Sequence, residues 1–144
     1  MSASRWIAEG ILNNFFRGQN VAPPTQRFMR LFISDPTPDA VGTEVQGGGY
    51  VPQAIAFTAP ERDGDVSQIV NTAEIRFPVA TADWGNISHY GIFTAATGGN
   101  MLAFAPVTVP KAIEAGDEAK FLAGACRVRV LGQQVVASAA ALEI

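Results

Sequence analysis

One stretch, Thr81 to Leu102 (TADWGNISHYGIFTAATGGNML), constrains this chain more than any other. Ile87, His89, Gly91 and Phe93 alternate with Ser88, Tyr90, Ile92 and Thr94. A period of two is the mark of a β-strand, because successive side chains leave a pleated backbone on opposite faces. Gly98, Gly99 and Asn100 follow, residue types that adopt the positive φ angles of a tight reversal, and Met101, Leu102, Ala103 and Phe104 start a strand running back. The stretch predicts a β-hairpin at the centre of a β protein. Trp84 and Gly85 stand where the chain comes into that hairpin. An indole there buries roughly 150–250 Å², worth about 4–6 kcal/mol at ~25 cal/mol per Å², so Trp84 is read as a core anchor.

The remaining chain supplies strands of the same kind. Arg27 to Ser34 alternates Phe28, Arg30 and Phe32 with Met29, Leu31 and Ile33, and Asp35-Pro36-Thr37-Pro38-Asp39 ends it. Gly42 to Gly49 reads as a loop, and Tyr50 opens a strand in which Pro52 marks an edge or a bulge. Glu61 to Asp65 reads as a polar turn and Val66 to Phe77 as one strand with a wet face. After the hairpin, Val107 to Ile113 reads as a Pro-interrupted connection and Glu114 to Asp117 as a turn. Ala119 to Phe121, Ala125 to Leu131 and Gln133 to Ala139 then read as strands. Such short strands with frequent turns predict an all-β, two-sheet antiparallel sandwich, jelly-roll-like, with an immunoglobulin-like sandwich as the second choice.

One helix precedes the strands. Ser2 or Ser4 caps it, Ile7, Ile11 and Phe15 recur at spacing four beside Trp6, Leu12 and Phe16, and Gly18 stops it. Pro23-Pro24 separates it from the β region. The expected organisation is a helical arm over 1–22, a β-sandwich over 23–131 and a C-terminal strand or tail over 132–144.

Charge is scarce: 16% of the 144 residues are charged and 48% hydrophobic, against about 25% charged in ordinary globular proteins. Only Asp83 is charged between Phe77 and Pro110, and nothing is between Leu131 and Leu142. Faces that poor in charge meet other proteins. A net charge of −3, with Arg27 and Arg30 the nearest approach to a basic stripe, argues against a nucleic-acid partner. No apolar run is long enough to span a membrane and no signal peptide is read, so assembly in a cytoplasm is expected, with no membrane partner. The single cysteine, Cys126, lies in a strand-like run and reads as a buried hydrophobe.

Chemistry is hard to find. His89 is the sole histidine and has no nucleophile elbow to serve, so it reads as structural. Asp63-Gly64-Asp65 only faintly resembles a calcium loop, and Gly47-Gly48-Gly49 lacks the Lys-Ser/Thr of a phosphate loop. The expectation is a protein that is not an enzyme, with no cofactor and no metal.

Taken together, Gly42-Thr43-Glu44-Val45, Gly47-Gly48-Gly49-Tyr50, Asn71-Thr72-Ala73, Trp84-Gly85, Gly91-Ile92-Phe93, Ala95 to Asn100 and Gly116-Asp117 resemble a family of small tailed-bacteriophage structural proteins usually labelled tail fibre or head decoration proteins. The resemblance spans roughly Ile11 to Val130. It implies a virion protein, and the first expectation is a capsid decoration or cement protein on the assembled head, whose partners are the major capsid protein or other virion proteins and further copies of itself. The alternative is a tail fibre or tail accessory protein contacting a host receptor or a surface carbohydrate, for which Trp84, Tyr50 and Tyr90 are the candidate sugar platforms; 144 residues that build a domain leave no shaft, which weighs against it. Assembly contacts are expected at the two uncharged ends, Trp6, Ile7, Ile11, Phe15 and Phe16, and Val135, Val136 and Leu142. Trp84, Gly85, His89, Gly91, Phe93, Gly98, Gly99 and Asn100 are expected to build the structural hairpin.

Overall fold

The computed structural model describes residues 2–131 and 134–144. In chain order it contains β1 (Ser2–Ala3), helix α1 (Arg5–Ile11) continued by a π-helical turn (Leu12–Phe16), β2 (Phe28–Phe32), β3 (Gln53–Ala54), β4 (Glu61–Asp63), β5 (Val66–Val70), β6 (Ile75–Arg76), β7 (Gly85–Phe93), β8 (Met101–Ile113), β9 (Lys120–Phe121), β10 (Arg127–Leu131) and β11 (Gln134–Ala137). The strands form one sheet in the order β1-β8-β7-β2-β3, a second in the order β11-β10-β5-β4, and a pair β6-β9. The fold is all-β, an antiparallel sandwich with one short helix at its N-terminus, the class that strand spacing and turn chemistry predict.

The core sits where the sheets face one another. Met29 and Leu31 of β2, Tyr90 and Ile92 of β7 and Ala105 and Val107 of β8 meet Ile75 of β6, Phe121 of β9 and Ala137 of β11. The alternate residues of the large sheet form a second cluster on its other face, Phe32, Phe93, Met101 and Phe104. Gly91 makes this cluster possible, since a Cβ there would lie 2.7 Å from the Phe93 ring and 3.3 Å from that of Phe32. Those two rings stack at 5.8 Å.

Trp84 is the joint between the hairpin and the loop before β3. It is 4% exposed, its indole N–H donates to the Gly48 carbonyl at 2.8 Å, and its ring meets Tyr50 and Phe77 edge-on at 5.5 and 6.5 Å. The receptor is built by three successive left-handed glycines, Gly47, Gly48 and Gly49, at φ 72°, 60° and 79°. A Cβ on Gly48 would sit 2.8 Å from the indole, so glycine is required there twice over, for backbone conformation and for space.

Several elements depart from the sequence reading. Val107 to Ile113 is not a connection: β8 runs unbroken to Ile113 beside β7. Its prolines are tolerated because the register slips between Ile87 and His89, where Lys111 and Pro106 are the successive partners, so missing N–H groups fall at an irregularity and not in a regular ladder. The same slip lets Ile87 join the core with Tyr90 and Ile92 in place of following His89. Val66 to Phe77 is two strands in different sheets, parted by Asn71. That side chain is 2% exposed, donates to the Ala73 and Leu122 carbonyls and accepts from the Cys126 N–H, so it replaces the ladder where the chain changes sheet. Glu61 to Asp63 is a strand and only Gly64-Asp65 turn, Gly64 holding φ 64°. All three β4 residues are exposed and charged, which protects this sheet edge from pairing with another chain.

Replacing Trp84 with Ala should cost about 3–5 kcal/mol in chemical denaturation, through lost ring burial and the loss of its hydrogen bond to Gly48. A loss under about 1 kcal/mol, the scale of a surface substitution, would contradict its role.

Candidate functional site

The hairpin is fastened from beneath by one partly buried polar network. Arg30, on the face of β2 opposite Met29 and Leu31, has a side chain only 11% exposed and pairs with Glu44, itself 20% exposed, through Nε at 3.1 Å and Nη2 at 2.8 Å. Its guanidinium lies 3.8 Å over the Phe93 ring. Nη1 donates to the carbonyls of Gly98 at 2.8 Å and Ala95 at 3.4 Å, so the cation holds the hairpin loop. Glu44 also accepts from the Tyr50 hydroxyl at 2.7 Å, and that oxygen accepts from the Leu31 N–H at 2.9 Å. Burial and the neighbouring Glu44 carboxylate raise the Tyr50 hydroxyl far above its ordinary titration range, so it stays a donor.

The loop is longer than a tight reversal. Thr94 and Asn100 close it by Thr94 N–H to Asn100 carbonyl and Asn100 N–H to Thr94 hydroxyl, both 2.9 Å, while Gly98 and Gly99 take φ 65° and 69° inside. The structure brings together the predicted hairpin residues: Trp84 and Gly85 lead into β7, Gly91 and Phe93 line the second cluster, and Gly98 to Asn100 form the loop held by Arg30. His89 pairs across to Phe32 and shares a hydrogen bond with Ser88 through Nδ1 at 2.8 Å. Burial lowers its pKa, partly opposed by Asp35, which leaves a neutral ring fixed by its neighbour. Cys126 is fully buried and its thiol is pushed up to about 12, an inert packing residue.

The candidate sugar platforms do not present their rings. Tyr90 is wholly buried with its hydroxyl donating to the Ser138 carbonyl at 2.7 Å, and Trp84 and Tyr50 pack against Phe77. Gly64 forms a hairpin turn beside Asp63, whose carboxylate accepts from Arg129 at 3.1 Å, an arrangement unlike a calcium loop. Among the described residues no group of three or more His, Cys, Asp or Glu is placed to hold a metal, and no helix is long and apolar enough to cross a membrane.

The two ends differ. At the C-terminus Leu142 is 2% exposed and part of the main core. Ala140 bridges Val107, and Glu143 bridges Lys120. Leu142 therefore serves the fold and offers no surface to a partner. Val135 and Val136 are placed by register opposite Val130 and Arg129, and their side chains lie outside the described residues. The N-terminus is tied down as well, since β1 pairs with Phe104 and Ala103, and Ser4 N–H and Arg5 N–H donate to the Leu102 and Pro38 carbonyls, both at 3.0 Å. Ser4, not Ser2, is the cap, its hydroxyl accepting from the Ile7 N–H at 3.1 Å.

On the helix, Trp6, Ile7 and Ile11 are half-buried and line an apolar groove closed by Val21, Pro23 and Pro24. Phe15 and Phe16 are 75% and 79% exposed, and Leu12 is 57% exposed. The spacing of four holds through the π-helical turn from Leu12: Phe15 lines the same groove as Ile7 and Ile11, with most of its ring left exposed. Sequence reasoning missed two things here. It did not place Leu12 on the outer face, although one α-helical step of about 100° from Ile11 carries it off the groove side. It counted Arg30 only as a weak basic feature, although the one charge within an otherwise apolar strand is a signal of a buried partner.

Comparison with known proteins gives one family. The family model described as podophage GP4 fiber I protein gp80 matches residues 2–129, which covers β1, α1 and the chain as far as β10. No curated protein matches the chain.

Because Arg30 and Glu44 are largely buried, removing either alone leaves an uncompensated charge, at about 3–5 kcal/mol. Arg30→Met and Glu44→Gln should each destabilise strongly, and the double variant should cost at least about 1 kcal/mol less than the sum. Additive losses in chemical denaturation would contradict a coupled pair.

Proposed function

The chain belongs to the podophage GP4 fiber I family, a family of phage structural proteins, and on that premise we propose that it serves in a fibre of a tailed-phage virion. The observation that carries this reading is the extent of the match. Residues 2–129 are the β domain itself together with its helix, so the fibre description attaches to the domain and requires no shaft within it. The first expectation, decoration of the head, has no comparable support: a charge-poor surface serves any virion contact equally well.

The role is structural and not catalytic. His89 is held by Ser88, Cys126 is sealed in the core, and Asp63 and Glu44 answer arginines. The Ser88 hydroxyl lies 2.8 Å from His89 Nδ1, but no third group among the described residues hydrogen-bonds that ring to orient it as a base. The partners are other virion proteins, with no role for nucleic acid given a net charge of −3, and assembly takes place in the host cytoplasm. Receptor contact through a carbohydrate is the weaker branch of the fibre reading, because the candidate platforms Trp84, Tyr50 and Tyr90 pack against other core rings.

Gold-labelled antibody against the domain, imaged on intact virions, should mark the tail region, and quantitative mass spectrometry should give copies per particle in the range of fibre proteins. Label spread over the head, with copy number scaling with the capsid lattice, would overturn the fibre reading in favour of decoration.

A further inference from the structure

Three segments distant in sequence enclose a polar cleft of about 370 Å³ beside the start of the helix, within the ~300–1,000 Å³ of small-molecule sites. Its walls are α1, the loop after β2 and the hairpin loop, which bring Trp6 and Glu9, then Asp39, then Asn100 to one place. Trp6 is half-buried, belongs to neither core cluster and lines both this cleft and the apolar groove. It is an aromatic residue available at the surface, in contrast to Trp84, Tyr50 and Tyr90.

Each wall is fixed in advance. The helix is capped by Ser4, and its Arg5 N–H donates to the Pro38 carbonyl at 3.0 Å. The loop after β2 holds Thr37 and Ala40 at φ 60° and 58°, a left-handed conformation that side chains disfavour. Thr37 N–H to Asp35 Oδ1 at 2.9 Å, Val41 N–H to the Pro36 carbonyl at 2.7 Å and Arg5 to Asp39 at 2.6 Å keep it there. Strain of that kind persists where the surroundings over-determine it, and it gathers at binding sites. The hairpin loop is pinned by Arg30 at the Gly98 carbonyl. A cleft so prepared loses little ordering entropy when it takes a ligand.

We propose that this cleft binds a neutral saccharide, one sugar ring lying on the Trp6 indole and its hydroxyls bonding to Glu9, Asp39 and Asn100. A sugar has C–H faces that pack on an aromatic ring and hydroxyls that both donate and accept. Among the described residues no hydrogen-bond partner is found for the Trp6 indole N–H, the Glu9 carboxylate or the Asn100 side-chain amide, Asn100 being bonded through its backbone alone. They supply a donor, an acceptor and one of each, the mixture that hydroxyls require. Asp39 accepts from Arg5 and keeps further lone pairs. An anion is disfavoured, because two carboxylates line the cleft and its one guanidinium, Arg5, is already engaged. An apolar ligand would cover those carboxylates without pairing them. Such binding is independent of whether the protein sits on tail or head, so labelling of virions and titration with sugar can fail separately.

The two tryptophans give two indole signals in a proton–nitrogen correlation spectrum, and buried Trp84 is the internal reference. Titration of the full chain with cellotetraose, maltotetraose and chitotetraose, each to about 20 mM, should move the Trp6 signal with at least one of them, at a Kd on the order of 1 mM, and leave Trp84 in place. Trp6→Ala should abolish binding. Glu9→Ala and Asn100→Ala, at exposed positions, should each weaken it about fivefold or more, the loss of one good hydrogen bond, with circular dichroism unchanged. Sodium phosphate should move neither signal. A Trp6 signal indifferent to all three sugars would overturn the proposal, as would binding that survives Glu9→Ala and Asn100→Ala undiminished. Displacement by phosphate and not by sugar would overturn it in favour of an anion site, and displacement on raising the protein concentration but not by sugar would overturn it in favour of contact between copies.

Discussion

The hydrogen bond from the Trp84 indole to the Gly48 carbonyl is the constraint on which the rest of the architecture depends. It joins the start of the central hairpin to a loop more than thirty residues earlier. The same carbonyl also accepts the Thr81 N–H at 2.9 Å, so the segment entering the hairpin is tied to the loop at two points. With the loop fixed, Tyr50 is delivered to the edge of the indole and its hydroxyl to Glu44, and Glu44 then holds Arg30 beneath the hairpin loop. Loop, core and hairpin are thus linked in one chain of contacts. Its members are far apart in sequence, which makes the structure dependent on long-range closure.

This arrangement explains how a chain so poor in charge is organised. The charges of Arg30 and Glu44 at the large sheet are turned to internal use. Both ends were candidate contacts, and the fold separates them. The C-terminal residues spend their apolar surface on the core through Leu142 and Ala140. The helix is anchored by its first residues yet keeps Leu12, Phe15 and Phe16 outside. A domain tied at its N-terminus with a fixed apolar helix face is suited to assembly, because the contact surface is presented by a rigid base and little ordering entropy is lost on docking.

Much of the fold was legible where local rules decide. The period of two through β2 and through β7 from His89 onward, the positive-φ glycines and the Ser4 cap each follow from the residues concerned and their immediate neighbours. Failures came where a distant partner decides. Pro106 and Pro110 argue locally against a strand, but β7 supplies a partner with a slipped register that accommodates them. Asn71 looks like a turn residue and instead bridges two sheets through Cys126 and Leu122. The helix shows the same limit: the spacing of four sets Phe15 beside the groove of Ile7 and Ile11, but only the tertiary fold decides that its ring stays largely exposed. Of the expected site residues, the hairpin set was legible as structure because glycines and an indole have few alternative uses. The contact set was split, since exposure depends on what the tertiary fold leaves uncovered.

Hydrogen exchange of the Trp84 indole N–H, followed by NMR, tests the central claim most directly. If the indole is locked by Gly48 and buried beneath Tyr50 and Phe77, its proton exchanges only through global unfolding, as slowly as the core amides of β7 such as Tyr90, and with the same denaturant dependence. Exchange orders of magnitude faster than those amides and insensitive to denaturant would show that the loop opens independently of the sheets. The joint between Trp84 and the glycine loop would then be a consequence of the fold and not the element that organises it.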